Sequence, residues 1–170
     1  MPHGVDEFTE FAAARSGKLF RTAWLLTGDW HLAQDLVQET LGKMYAKWRK
    51  IAEVNDPAAY AHTVLVRTFI SHRRRRSSSE RPTEKLPEPP ASNGDADLRL
   101  TLLDGLAQLG KHDRAVLVLR YWEDRSVDDT AAQLGLSPGA VRSRSFRALE
   151  RLRVVLAGSF DELPAPDLTA

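Results

Sequence analysis

A serine-capped, glycine-closed pattern in the last third of the chain constrains the fold more than any other feature. Ser126, followed three positions later by an acidic residue, approximates a capping box and predicts a helix over 127–134. Gly135 can close that helix because glycine accepts the left-handed conformation of a helix end. Ser137 and Pro138 then predict a second helix start. A helix of eight residues, a tight turn and a second helix together predict a helix-turn-helix.

The second of these predicted helices has two chemically different faces. The residues expected to face inward are apolar: Val141, Ala148, Leu149 and Leu152. The residues expected on the opposite face are Arg142, Ser143, Phe146 and Arg147. Arginine can bond guanine O6 and N7, and an exposed aromatic ring can pack on a thymine methyl group. This face therefore predicts that the helix reads double-stranded DNA in the major groove. Arg144 adds positive charge that would neutralise phosphates.

Charge is segregated along the 170 residues, although the formal net charge is only +1. Lysine and arginine minus aspartate and glutamate give +4 over 1–76, −3 over 77–110, +3 over 111–157 and −3 over 158–170. Two basic blocks separated by an acidic connector favour a polyanionic partner. Solvated helix faces are the alternative explanation for either block alone.

Apolar residues recur at helical spacing in both blocks, and no strand-like alternation is present. The first block predicts two short helices with a break near Gly17, then a helix capped by Asp29 that continues to Trp48. Asp56 followed by proline predicts the start of a further helix that continues into the arginine run 73–76.

The pattern predicts an all-α chain with two small helical domains joined by a flexible linker. The expected segments are a first domain at 1–76, an acidic, proline-rich linker at 77–96, a helix-turn-helix domain at 97–157 and an acidic tail at 158–170.

Several classes of function lack their sequence signals. The chain has no cysteine, and its five histidines are scattered, without metal-ligand spacing or a glycine-rich phosphate loop. We therefore expect no enzyme activity, no metal and no cofactor, and no small-molecule substrate. No apolar run approaches the length of a membrane span, and the N-terminus has no basic segment before an apolar core. These features predict a cytoplasmic protein that does not bind membranes.

The motifs resemble a known family. Residues 113–121, 126–131 and 136–144 resemble region 4 of the extracytoplasmic-function (ECF) sigma factors of bacterial RNA polymerase. The similarity to region 2 of the same family lies in residues 26–29 and 33–40, in Trp48, and in residues 56–60 with their continuation through the arginine run 73–76. The resemblance covers about residues 5–156 in order and spacing, and it is greatest to the short actinobacterial branch.

The resemblance implies a role for each motif. Region 2 would bind the clamp helices of core RNA polymerase through Asp35, Gln38 and Glu39. It would bind the −10 promoter element through Asn55, Asp56, Tyr60, Arg67, Arg73, Arg74, Arg75 and Arg76. Region 4 would bind the −35 element through Arg142, Ser143, Arg144, Phe146 and Arg147. The polymerase flap and an anti-sigma protein are further partners that the resemblance implies.

Two positions depart from the family pattern. Arg67 stands where the family commonly has asparagine, and Ser71 stands where it commonly has aspartate. These departures bear on which −10 sequence is read.

Two other functions fit parts of the sequence. A stand-alone helix-turn-helix regulator would need a dimer for paired half-sites, and the sequence shows no dedicated dimer helix. A helical adaptor would use only the acidic face of the helix at 30–48.

Overall fold

A computed structural model describes residues 3–72 and 93–158, and within these ranges all regular structure is helical. The elements are α1 (His3–Thr27), α2 (Trp30–Ala46), α3 (Trp48–Ile51), α4 (Pro57–Ser71), α5 (Asn93–Ala107), α6 (Lys111–Leu117), a π-helical turn (Val118–Trp122), α7 (Val127–Leu134) and α8 (Pro138–Ala157). The all-α prediction is confirmed. The arginine run 73–76, most of the predicted linker and nearly all of the acidic tail lie outside the described residues.

The predicted helix caps are confirmed. The backbone N–H groups three residues on donate to the side chains of Asp29, Asp56, Ser126 and Ser137 at distances of 2.9 to 3.1 Å. Gly135 has a φ of 65°, the left-handed conformation that ends α7. Local hydrogen bonding therefore sets these helix boundaries, because each cap satisfies a backbone group that lacks a partner within its own helix.

Helix α1 differs from the prediction of two short helices. Gly17 lies inside one continuous helix of 25 residues and is exposed there. Glycine costs only about 1 kcal/mol in a helix interior. The residues that follow it, Leu19, Ala23 and Leu26, are at most 1% exposed. Burial of this face outweighs the weak helix propensity of a single glycine.

Helices α1, α2 and α4 form a first helical body around one core. Its largest fully buried side chains include Leu19, Leu26, Leu36, Met44 and Leu65. Trp48, which the sequence placed at the end of one long helix, instead begins the short α3 after an interruption at Lys47. Its ring lies 4.9 Å from that of Phe11 and 5.2 Å from that of Phe8, centroid to centroid.

Helices α5 to α8 form a second body with two smaller apolar clusters. One cluster contains Leu106, Leu109, Leu117 and Ala148, and the other contains Val116, Ala131 and Val141. Gly105 lets α5 approach α8, because a Cβ at this position would lie 2.7 Å from a Leu152 methyl group. Helices α5 and α6 therefore pack against the helix-turn-helix formed by α7 and α8.

The two bodies also pack directly on each other. Ala115, Val118 and Leu119, from α6 and the π-helical turn, are buried in the core of the first body. Leu25 of α1 packs in return against the apolar cluster of the second body. The sequence predicted two bodies and did not predict this direct contact between them.

Candidate nucleic-acid interface

The recognition helix α8 is seated by two fully buried residues. Val141 and Ala148 are 0% exposed, and they lie about two turns apart on the same face. Ser137 caps the helix, and Pro138 occupies its first turn. The cap fixes the start of α8, and the two buried residues fix its position on the second body. The side chains on the opposite face are therefore held on a rigid helix.

That opposite face carries the four residues predicted to read DNA. Arg142, Ser143, Phe146 and Arg147 are all exposed. The Phe146 side chain is 69% exposed, although leaving a large aromatic ring in water is unfavourable. Neither Arg142 nor Arg147 forms an ion pair with any acidic residue in the described ranges. The structure thus brings two unpaired guanidinium groups beside an exposed ring.

Two neighbouring residues of α8 have different surroundings. The Arg144 Nη1 atom lies 2.8 Å from Asp113 Oδ1, so this guanidinium ties α8 to α6. Its role as a DNA contact stays a prediction.

Leu149, which was predicted to face inward, is 38% exposed, so that prediction is wrong. The buried stripe is narrower than the periodicity indicated, because the short α6 and α7 cover only part of the long α8.

Three of the predicted −10 residues, Asn55, Asp56 and Tyr60, lie at or near the start of α4. Asn55 and Asp56 are exposed, and the Asp56 carboxylate accepts a hydrogen bond from the Ala59 N–H at 3.0 Å. Asp56 therefore fixes the beginning of the helix. Tyr60, one turn further on, is 36% exposed.

A cavity between α2 and α4 gathers Tyr60 with several cationic side chains. It has a volume of about 490 Å³ and is lined by Lys43, Ala46, Lys47, Tyr60, Val64, Arg67, Thr68 and Ser71. Lys43 Nζ donates to Thr68 Oγ1 at 3.1 Å, which fixes one wall. The sequence predicted Tyr60 and Arg67 here and did not predict the two lysines. Their spacing of four residues in the helix predicted to continue to Trp48 was the available signal, because it would place both on one helix face; in the structure α2 ends at Ala46 and Lys47 is its C-cap.

The residues predicted to bind polymerase lie on the outer side of α2. Asp35 and Gln38 are exposed. Glu39 is already engaged, because its carboxylate lies 2.9 Å from Lys43 Nζ and 2.7 Å from His72 Nε2. The hydrogen bond from Lys43, together with His72, outweighs partial burial and lowers the pKa of Glu39. Glu39 thus links α2 to the end of α4.

The described part of the chain shows neither a metal centre nor a membrane helix. Residues 3–72 and 93–158 contain no group of three or more His, Asp or Glu side chains arranged to hold a metal ion. None of the helices in those ranges combines the length and the apolar character that crossing a membrane requires.

The second body has an anchored recognition helix with exposed arginines, and the first body has a cavity lined by cationic side chains. Together they define a helical DNA-binding protein. Family comparison supports this class with two matches. Residues 12–79 match sigma-70 region 2, and residues 99–152 match sigma-70 region 4.

Individual relatives agree. The chain is 41% identical to the RNA polymerase sigma-E factor of Streptomyces coelicolor over 98% of this chain and 91% of the relative. It is 35% identical to the ECF RNA polymerase sigma factor SigL of Mycobacterium tuberculosis over 81% of this chain and 82% of the relative. Among solved structures, the sigma factor RpoE of Bartonella quintana, in complex with the anti-sigma factor NepR, matches with a TM-score of 0.70 and 29% identity. That match covers 89% of this chain and 97% of the RpoE chain.

The chain belongs to the sigma-70 family, and its relatives place it with the ECF sigma factors. It is a transcription initiation factor that directs core RNA polymerase to promoters, and it is not an enzyme. The resemblance stated from the sequence is confirmed. A stand-alone helix-turn-helix regulator is not supported, because the match extends over region 2 as well as region 4.

Proposed function

We propose that the exposed face of α8 reads the −35 element. Arg142 and Arg147 would reach base edges or phosphates in the major groove, and Ser143 lies between them on the same face. The observation that carries this proposal is the exposed Phe146 ring beside two arginines without an ion pair, on a helix that Val141 and Ala148 anchor from the buried side. Contact with DNA would remove that ring from water. Arg144 stays a predicted contact whose guanidinium is already paired with Asp113.

We propose that the cavity between α2 and α4 holds an unstacked nucleotide of the −10 element. The Tyr60 ring offers a stacking surface, and stacking on an aromatic side chain contributes about 1–3 kcal/mol per base. Lys47 and Arg67 line the cavity with positive charge that would attract the phosphates, whereas the charge of Lys43 is shared with Glu39. Asn55 and Asp56 lie at the loop just before α4. The run Arg73, Arg74, Arg75 and Arg76 would extend the contact to neighbouring phosphates.

Arg67 bears on which base the cavity accepts. A guanidinium offers only donors, whereas an asparagine amide offers both a donor and an acceptor. A base with two adjacent acceptors, such as guanine at O6 and N7, fits Arg67 best. We therefore expect the −10 preference of this protein to differ from that of relatives with asparagine here.

We propose that Asp35, Gln38 and Glu39 contact the polymerase clamp helices. Asp35 and Gln38 are free to bind, whereas the Glu39 carboxylate would have to share its bonds with Lys43 and His72. Residues 1–76 would serve as the polymerase and −10 domain, residues 97–157 as the −35 domain, and 77–96 as the linker, whose last four residues already begin α5.

Control by an anti-sigma protein is a further proposal. It rests on the similarity to RpoE of Bartonella quintana, whose structure contains an anti-sigma factor. We also propose a cytoplasmic location, because core RNA polymerase and chromosomal DNA are there.

Run-off transcription with bacterial core polymerase and a promoter library tests the assignment. We expect transcripts only when the protein is added, with preferences at both elements. Tyr60→Ala should reduce promoter opening by about 5- to 150-fold, which corresponds to the loss of one stacked base. Tyr60→Phe is the matched control, because it keeps the ring and should retain most activity. Equal activity of the alanine variant and wild type would contradict the −10 proposal. Failure to bind core polymerase would contradict the assignment as a whole.

A further inference from the structure

Three polar side chains form a buried cluster where the two bodies meet. Glu123 follows the π-helical turn of the second body, and its side chain is 5% exposed. Thr22 of α1 donates from Oγ1 to Glu123 Oε1 at 2.5 Å. His62 of α4 places Nδ1 at 3.3 Å from Glu123 Oε2, an ion-pair distance without hydrogen-bond alignment. One carboxylate of the second body is therefore held by two helices of the first.

The two side chains that contact the buried Glu123 carboxylate both belong to the first body. Burial alone would raise the pKa of Glu123, but the contacts with His62 and Thr22, and the positive charge of Lys18, outweigh this effect and lower the pKa. The charged form is thus favoured when the two bodies are packed together, which we call the closed arrangement. A carboxylate with such partners contributes to the contact between the bodies, whereas one left without them would destabilise it.

A second charged group lies at the same junction. Arg114 of α6 is 6% exposed, and its Nε donates to the Leu25 carbonyl oxygen of α1 at 2.6 Å. Burial lowers its pKa to about 10. Its guanidinium lies against Gly28, where φ is +70°, and a Cβ would lie 3.1 Å from Nη2. Arg114 therefore lies close against the loop between α1 and α2, where the left-handed φ favours glycine.

Lys111 makes a third polar connection. Its ammonium donates to the His72 carbonyl oxygen and lies 5.3 Å from the centroid of the Phe69 ring. All three connections join α6 or the π-helical turn to helices of the first body. Together with the buried Val118 and Leu119, they hold the bodies in one arrangement.

This closed arrangement is too short to reach both promoter elements. Positions −10 and −35 are separated by 25 base pairs, or about 85 Å of B-form DNA. A compact protein of about this many residues is about 40 Å across. The twenty residues at 73–92 can span about 70 Å when extended. The chain can therefore reach both elements only if the two bodies separate.

We propose that Thr22, His62 and Glu123 form a polar latch that holds the two DNA-binding bodies together, and that the latch must open before the promoter is engaged. The functional part of this inference rests on the proposed −10 and −35 surfaces. A polar latch suits a reversible contact, because water can solvate the Glu123 carboxylate once the bodies separate. Opening would also expose Val118 and Leu119 to water, which favours the closed arrangement as long as the chain is free.

Intramolecular energy transfer in the full chain tests the latch. The native sequence has no cysteine, so Val54→Cys and Val154→Cys allow specific labelling of one exposed position in each body. We expect a high-transfer population for this labelled chain alone and a shift to low transfer when core polymerase and promoter DNA are added. Glu123→Ala should lower the ratio of closed to open molecules by about 10- to 100-fold, because it removes a charge-assisted contact.

Two further variants complete the test. Thr22→Val keeps the shape of Thr22 and removes only the hydroxyl group, so it should open the chain without disturbing either core; circular dichroism checks that the helices remain. Glu53→Ala removes the same charge from an exposed position and should leave the ratio unchanged. A low-transfer population for the labelled chain alone would overturn the latch, as would Glu123→Ala and Thr22→Val variants that stay as closed as the parent chain. Because this readout needs no promoter sequence, it remains informative even if the −10 and −35 assignments fail.

Discussion

Replacement of Arg147 by alanine tests the −35 surface. Arg147 is exposed on α8, and its only hydrogen bond in the described residues is a long one of 3.4 Å from Nε to the Ser143 carbonyl oxygen. Removal of the side chain should therefore change the free energy of unfolding by no more than about 0.5 kcal/mol. Any larger effect must come from binding.

The expected loss depends on what Arg147 contacts. A bidentate contact to a base contributes about 1–3 kcal/mol, which corresponds to about 5- to 150-fold in promoter affinity at the matched sequence. Discrimination at one base pair of the −35 element should be lost as well. A contact to phosphate would instead weaken all promoters alike and reduce the slope of log affinity against log salt by about 0.9.

The assay is competition between −35 variants for the polymerase holoenzyme, measured at several salt concentrations. Arg99→Ala is the control, because it removes the same charge from an exposed position on α5 of the same body. Wild-type affinity and wild-type discrimination in the Arg147→Ala holoenzyme would refute the proposed reading face. Equal losses in the Arg99→Ala control would show that only overall charge matters.

Three further predictions concern stability. Ser137→Ala removes the cap of α8, where Ser137 Oγ accepts the Ala140 N–H at 3.1 Å, and should lower the free energy of unfolding by about 1 kcal/mol in urea titration; no change would mean that the cap is dispensable. Leu119→Ala leaves a cavity at a fully buried position shared by both bodies and should cost about 2–5 kcal/mol, and a loss below 1 kcal/mol would contradict that burial. Because the pKa of Glu123 is lowered in the folded state, its stabilisation is complete above the ordinary value of 4.5 and is lost as pH falls through the lowered value. The stability advantage of wild type over Glu123→Gln should therefore shrink in acid, and a pH-independent difference would contradict the charged assignment.

Local sequence was sufficient to predict a helix boundary wherever a backbone N–H or C=O group finds its partner a few residues away. The caps at Asp29, Asp56, Ser126 and Ser137 and the left-handed Gly135 depend on a few neighbouring residues, so they could be predicted. The exposed face of α8 was also predictable, because arginine and serine at helical spacing opposite Val141 and Ala148 leave few alternatives.

Predictions were less successful where the outcome depended on contacts between residues far apart in sequence. The break at Gly17 was wrong because burial along α1 overrides the propensity of one residue. Leu149 was wrongly placed inside because periodicity cannot show how far neighbouring helices extend. The pairing of Arg144 with Asp113 joins residues 31 positions apart in sequence, which no local pattern reveals.

The sequence by itself determined the helical class, the helix caps, the two basic blocks and the exposed face of α8, because each follows from chemistry within a few turns of the chain. Only the tertiary structure decided that α6 and the π-helical turn pack into the core of the first body. It alone placed Glu123 between Thr22 and His62, 101 and 61 positions away in sequence. The physical reason is that a buried carboxylate has a low free energy only when its partners surround it, and those partners come from helices that the chain brings together after they form.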